Sequence, residues 1–545
     1  MLHKQQGALV PLIRRAAFEG ETAALPLPLL ARAGCEFADR ARAILWRQPN
    51  EPCSRSIDPV RIGHRQRSAA NMVFSSVIFI FYFLPAFLFF YFVAGRRNAA
   101  ILTGSVLFYT WGEGIYIVLL TFLIAINLLA GRAIENARFR TGILLFSVGL
   151  NLSVLAYFKY ANFILNNVSA LLGEELAKID VQLPLGISFF TFQLISYLVD
   201  VYRKDVPAER NFVRLSTYIL MFPHLIAGPI VRYADIAGEI KSRSFKVQMF
   251  GLGVQYFIVG LCQKVIIANS VAPAAEYAFS VPLGELSMAI AWIGAFAYTI
   301  QIYFDFCGYS NMAIGLAFMM GFKFPRNFNY PYAAKSISDF WRRWHMSLSF
   351  WFRDYVYIPL GGSRGGVAKT IRNLLIVFFL TGLWHGAAWT FIFWGIFHGF
   401  FLIMERLWLG RALEKAPHTF ARAYVILVVI VGWVFFQSKD FAQATAFLQA
   451  MAGFGGVASA PIRLWLTPEA MAALVAGSIF SFPVIAAVLD RLGLQRVSGP
   501  LDLANPHHDA TFVHQLPILP LLIGFVFCVA LIVGNSLNPF LYFRF

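Results

Sequence analysis

The chain has 545 residues, of which 59% are hydrophobic and 13% charged, and phenylalanine alone occurs 56 times. Soluble domains run nearer to about 45–50% apolar and about 25% charged, so this sequence lacks the polar residues to cover a water-soluble globule of its size. The same hydropathy excludes disorder. The net charge of +17 is spread over many short loops, as expected of loops facing an anionic cytoplasmic leaflet, and not gathered in the single stripe of a nucleic-acid binder.

In chain order, residues 1–71 stand apart. They carry eleven Lys/Arg and six Asp/Glu with no sustained periodicity. The apolar patch Ala23–Ala31 is interrupted by Pro26 and Pro28 and makes a poor signal-peptide core. At Met72 the character changes to MVFSSVIFIFYFLPAFLFFYFV. The expectation is a transmembrane domain over 72–545, preceded by a disordered extension or a mis-called start over 1–71. A regulatory cytosolic arm is the alternative for that extension.

Beyond Met72, apolar runs recur at 74–94, 99–111, 114–131, 142–160, 183–201, 213–231, 249–270, 287–304, 307–320, 373–388, 389–408, 420–436, 470–489 and 517–536. The runs 99–111 and 307–320 are too short to cross alone and read as re-entrant or interfacial pieces. About eleven true spans are expected. Arg96 and Arg97 follow the first run, whereas Met72 to Val77 carries no charge. The 96–97 loop is therefore expected in the cytoplasm and the Met72 end outside. No internal repeat is visible.

The longest polar interval, 321–372, holds nine Lys/Arg against Asp339 and Asp354, and belongs on the cytoplasmic side. Within it, Trp341, Trp344, Leu348, Trp351 and Tyr355 step by three and four, which predicts one amphipathic helix over Ser338–Tyr357 lying at the membrane interface. Ser338 with Asp339 is its expected start.

Three histidines could carry chemistry. His385 lies in the apolar stretch 373–405, where an ionisable group is costly. A neutral imidazole there can take a proton from a hydroxyl, and Gly382 and Gly386 would admit another backbone or a ligand. A core histidine with one hydrogen bond is the competing reading. His398 reads as making a helix-packing hydrogen bond, since thirteen residues is not the spacing of a metal pair on one helix. His345 reads as an interfacial polar residue, or as a second neutral imidazole with Arg342 and Arg343 repelling its charge.

Arg342, Arg343, Arg353, Arg364, Lys369 and Arg372, with GGSRGG at 361–366, form a basic zone that could hold phosphates. Headgroup contact is its plainer reading. GGSRG matches the letters of a hydrolase GxSxG with Ser363 at the nucleophile position, but the flanks lack the strand-to-helix context. No metal is expected: HExxH, CxxC and Asp-rich motifs are absent, and His507, His508 and Asp509 fall in a polar loop. The five cysteines are odd in number, which argues against a disulfide framework, and Cys262, Cys307 and Cys528 sit in apolar runs as small hydrophobes.

The segments FWRRWHMSLSFWFRDYVYIPLGGSR (340–364) and LTGLWHGAAWTFIFWGIFHG (380–399) resemble the membrane-bound O-acyltransferase superfamily, most closely its alginate O-acetyltransferase-like branch. The segments 72–85, 183–203, 221–233, 303–332 and 537–545 agree with that branch, and none touches 1–71. The resemblance implies an all-α polytopic fold with re-entrant helices and a central tunnel. It implies that His385 is the catalytic residue and His345 the second histidine. It implies a cytosolic thioester donor, acetyl-CoA, no permanently bound cofactor, and a polysaccharide hydroxyl such as that of alginate as the final acceptor outside a bacterial inner membrane. Relatives work with a periplasmic SGNH-type acetyltransferase or acceptor protein, and the chain carries no such soluble domain. Arg342, Arg343, Arg353 and Arg364 would then face the CoA end, while Asp339 or Asp354 would orient a histidine or pair with an arginine. An acyl-Cys intermediate would need folding to bring Cys307 close. The competing classes are a transporter or flippase with an intramembrane histidine relay, for which acidic residues and repeats are few, and an acyltransferase acting on a lipid, wall polymer or protein.

Overall fold

A computed structural model describes residues 73–95, 97–457, 461–504 and 510–534. The expectations for 1–71, for His507, His508 and Asp509, and for the closing segment 537–545 lie outside the described residues.

Apolar backbone in lipid can pair only with itself, and helix is the form these runs take. In chain order they are α1 (Phe79–Val93), α2 (Arg97–Glu113), α3 (Tyr116–Asn136), α4 (Arg140–Leu172) and α5 (Ile187–Arg203). Two shorter helices follow, α6 (Phe212–Leu220) and α7 (Tyr233–Lys241). Then come α8 (Val247–Ser280) and α9 (Met288–Met319). The polar interval holds α10 (Ile337–Trp341) and α11 (Met346–Phe352). The remaining helices are α12 (Gly366–His385), α13 (Trp389–Lys415), α14 (His418–Gln437), α15 (Pro468–Phe480), α16 (Val484–Arg491) and α17 (Ile518–Gly534). A two-stranded antiparallel hairpin, β1 (Arg496–Leu501) and β2 (Ala510–His514), pairs Arg496 with His514 and Val497 with Val513.

Among the described residues, seven helices are long and apolar enough to cross a membrane: α3, α4, α8, α9, α12, α13 and α14. The α15–α16 pair, bent by 64°, makes eight if it is one span. The protein is a multi-pass membrane protein, and among the described residues helices of that length number fewer than the eleven spans expected. Two particulars account for part of the difference. The runs 287–304 and 307–320 are one helix, α9, because Asp305 at their junction is neutralised inside the fold by Lys264 of α8. The run 213–231 is no span. It consists of α6, a single turn Phe222–Leu225 and extended chain, and Pro223 has no N–H to continue the α6 ladder.

α9 is the buried axis, enclosed along nearly all of Ala295–Met319. It lies so close to α8 that a Cβ on Gly260 would meet the Gly308 carbonyl oxygen at 2.5 Å, and one on Gly315 would meet that of Gly253 at 2.5 Å. Two facing glycine pairs, each seven residues apart along its own helix, let the backbones touch where lipid supplies no hydrophobic drive for packing.

The interfacial helix expected over Ser338–Tyr357 is replaced by two short helices. Ser336, not Ser338, caps the first, accepting from the Asp339 N–H at 3.0 Å. The chain then breaks at His345, with φ 43° and ψ 53°. Phe340, Trp341, Trp344, Leu348, Trp351 and Phe352 are all buried. The apolar stripe read as a membrane-facing surface is core. Glu405 of α13 fixes its start, accepting from the Ile337 N–H at 2.5 Å and from the Ser338 N–H at 2.8 Å.

Candidate active site

His385 is the last residue of α12. The chain turns there through Gly386 and re-enters as α13, giving a tight helical hairpin. A Cβ on Gly395 would lie 2.2 Å from the Phe378 carbonyl oxygen, one on Gly382 2.4 Å from that of Phe391, and one on Gly386 2.2 Å from the Phe391 ring. Both glycines flanking His385 are therefore needed by the hairpin itself. The His385 ring sits among aromatics, with centroids 4.9 Å from Trp384, 5.0 Å from Trp394 and 5.2 Å from Phe436, and the residue is 3% exposed.

The last carbonyls of a helix have no intrahelical partner, and α4 supplies partners here. Lys159 Nζ donates to the Trp384 oxygen at 2.5 Å and the His385 oxygen at 3.3 Å, and Tyr160 Oη donates to the Leu383 oxygen at 2.7 Å. A cation at a helix C-terminus also complements the helix dipole. Lys159 further donates to Ser188 Oγ at 3.2 Å. A cavity of about 100 Å³ opens at this point, walled by Lys159, Gly186, Phe189, Trp384 and His385 among others. That is room for a few waters or a group the size of acetyl.

His345 approaches the same tryptophan. Its ring is 5.9 Å from Trp384 and 4.7 Å from Phe306. Trp384 thus touches both imidazoles. His345 is fully enclosed, and its left-handed backbone is uncommon for a residue with a side chain. Backbone pairing holds the kink: Met346 N–H donates to the Asn327 oxygen and Asn329 N–H to the Arg343 oxygen, each at 2.9 Å. Asn327 Oδ1 accepts from the Ser347 N–H at 3.3 Å and the Ser347 hydroxyl at 2.9 Å, and lies 3.1 Å from His345 Nδ1. Since Oδ1 can only accept, Nδ1 carries the ring proton. Nε2 is left with its lone pair, buried and without a hydrogen-bond partner among the described residues. Burial pushes the imidazole down to about 3. Its neutrality therefore comes from desolvation, not from the neighbouring arginines.

The four arginines expected around a CoA end differ in their surroundings. Arg343 pairs with Asp339 at 2.8 Å, and Arg353 pairs with Asp354 at 2.6 Å and covers the Phe350 ring. Arg342 and Arg364 are exposed. Asp354 also binds Arg232 at 2.9 Å, so both aspartates pair with arginine. Ser363 lies on an exposed turn, hydrogen-bonded to Tyr357 at 2.8 Å. Cys307 receives an N–H from Asn311 at 3.5 Å. His398 does not make the expected helix-packing hydrogen bond. Both its ring nitrogens lack a hydrogen-bond partner among the described residues, and Trp341, Trp394 and Phe397 enclose it at 5.2–5.5 Å. Among the described residues no group of three His, Cys, Asp or Glu side chains could hold a metal.

Lys159, Tyr160 and Asn327 escaped the reading of the sequence. A lysine inside the run 142–160 was the available signal, by the rule that singled out His385. Asn327 has none, because its role exists only once residues 327 and 345 meet.

The sequence profile of the membrane-bound O-acyltransferase family matches residues 137–439, a stretch that holds both histidines and all of α10–α13.

The chain belongs to that family.

It is an O-acyltransferase. Over 505 aligned residues it is 40% identical to the "probable alginate O-acetylase AlgI" of Azotobacter vinelandii, covering 87% of this chain and 100% of that protein. It is 35% identical over 428 residues to the peptidoglycan O-acetyltransferase of Helicobacter pylori, covering 71% of this chain and 81% of that protein. It is 32% identical over 231 residues to the teichoic acid D-alanyltransferase of Bacillus subtilis, covering 39% of this chain and 56% of that protein.

Proposed function

We propose that this O-acyltransferase takes acetyl from cytosolic acetyl-CoA and passes it across a bacterial inner membrane for O-acetylation of an extracytoplasmic polysaccharide such as alginate. Residues 72–545 form the acyltransferase domain. The observation that carries the reading is the pair of buried imidazoles sharing Trp384, with a small cavity beside His385. The names of the relatives support an acetyl donor and a polymer acceptor.

In this mechanism His385 is the general base. It takes the proton of an acceptor hydroxyl as the oxygen attacks the thioester carbonyl carbon. The C–S bond then breaks, and the proton passes to the departing thiolate. Trp394 and Phe436 pack edge-to-face with the imidazole, and the scarcity of water around them limits thioester hydrolysis. His345, with Nε2 bare, receives a hydrogen bond from the incoming group or polarises it. The route from donor to acceptor continues from the cavity at His385 as a tunnel to both faces. Arg342 and Arg364, exposed on the cytoplasmic side, meet the donor phosphates, with Arg343 and Arg353 behind them. The final acceptor is reached through a periplasmic SGNH-type acetyltransferase.

The test is His385→Ala. The variant should insert at wild-type level, give no label transfer from radiolabelled acetyl-CoA in proteoliposomes, and leave the polymer unacetylated in cells. Undiminished transfer by the variant would refute the assignment.

A further inference from the structure

A second cavity, of about 530 Å³, lies where the turn before α2, the start of α6 and the end of α7 meet. None of its residues enters the acyl-transfer reading. Four cationic side chains wall it: Arg97, Arg214, Lys241 and Arg243. Asn98 and Asn211 add amides, and among the described residues no carboxylate lines it. Glu209, the acid nearest Arg214 at 3.8 Å, is not part of the wall.

The backbone adds to this field. First-turn residues of α2 and of α6 line the cavity, and helix N-termini bring positive dipole ends; at α6 the Arg214 N–H is donated to the Asn211 cap at 3.2 Å. Carbonyls at and just beyond the end of α7 already have partners. Asn98 Nδ2 donates to the Ile240 oxygen at 2.8 Å, and Arg97 Nη1 lies 3.4 Å from the Arg243 oxygen.

Arg243 is held in place by three partners. Its Nε donates to Tyr91 Oη at 3.0 Å, and its Nη1 donates to Asn98 Oδ1 at 2.6 Å and to the Glu239 oxygen at 3.2 Å. Its Nη2 is buried with no hydrogen-bond partner among the described residues. The guanidinium also covers the Phe322 ring at 4.6 Å, and a cation immobilised in the wall of a basic cavity suits an anion with several acceptor oxygens. Loop charges that merely orient a membrane protein need no walled pocket and no immobilised arginine.

We propose that this cavity is a phosphate-binding site, taking the phosphate of a nucleotide or of an anionic lipid headgroup.

The test uses the full chain in phosphatidylcholine nanodiscs, with adenosine 3′,5′-bisphosphate as the soluble probe and nanodiscs doped with phosphatidylglycerol as the lipid probe. Lys241→Glu reverses an exposed charge, and Arg97→Gln removes a second cation. Arg214→Lys keeps its charge and serves as the folding control. The expected result is at least about tenfold weaker binding of one probe in each charge variant, with affinity for the wild type falling steeply as salt rises. Loss confined to the bisphosphate assigns the site to a nucleotide, and loss confined to retained phosphatidylglycerol assigns it to a lipid. Unchanged binding of both probes in correctly folded Lys241→Glu and Arg97→Gln protein overturns the proposal, as does salt-insensitive binding by the wild type.

Discussion

Asn327 Oδ1 lies 3.1 Å from His345 Nδ1 while it accepts the Ser347 backbone N–H. The amide cannot flip without setting its NH2 against the Ser347 N–H, which can only donate; its Nδ2 meanwhile donates to Ser310 Oγ at 3.0 Å. It therefore fixes the imidazole in the tautomer with a bare Nε2. Asn327 is a positioning residue, acting on the chemistry only through His345.

Replacing Asn327 with Leu should leave Nδ1–H without an acceptor in a buried site. An unsatisfied buried group costs about 1–3 kcal/mol, which corresponds to roughly 5- to 150-fold in rate if it falls on the transition state. The expected outcome is a lower kcat for acetyl transfer with KM for the donor changed by less than about twofold. A change in KM alone, or full activity, would show that the tautomer does not matter.

His345 also makes a prediction about acid. An unperturbed imidazole titrates near about 6.5, and burial holds this one down to about 3. The unfolded chain then binds the proton first as pH falls. The contribution of the neutral ring to stability is full above pH ~6.5 and declines progressively toward pH ~3. Thermal stability of the detergent-solubilised protein should fall between these limits, and less steeply in His345→Gln. Parallel curves for the two proteins would mean that the ring is not buried neutral.

How much of this was legible beforehand depended on the range of each interaction. The hydrophobic runs gave the membrane class and most helices, because desolvation acts on each run separately. His385 stood out for the same reason, as a polar ring in an apolar stretch. The run Ser338–Tyr357 misled because a periodic stripe cannot say whether lipid interface or protein lies opposite. Here the stripe faces protein, and the break at His345 is imposed by pairing with Asn327 and Asn329. The four arginines were grouped by sequence proximity, yet Asp339 and Asp354 hold two of them. The basic cavity went unseen because Arg97 lies more than a hundred residues before the other three cations, Arg214, Lys241 and Arg243.

The hairpin that carries His385 rests on backbone contact between α12 and α13. A methyl on Gly395 would have to sit 2.2 Å from the Phe378 carbonyl oxygen, and backbone oxygen cannot rotate away as a side chain can. Gly395→Ala should force the helices apart, at about 1–3 kcal/mol for overpacking, and displace the Trp384–His385 pair from the cavity. Gly149→Ala on α4 is the matched control: nothing lies within 4 Å of its added Cβ, and alanine is the better helix former. The expected outcome is a lower melting temperature and reduced acetyl transfer for Gly395→Ala, with unchanged or raised stability for Gly149→Ala. Equal behaviour of the two variants would mean that α12 and α13 do not pack at the distance on which the placement of His385 depends.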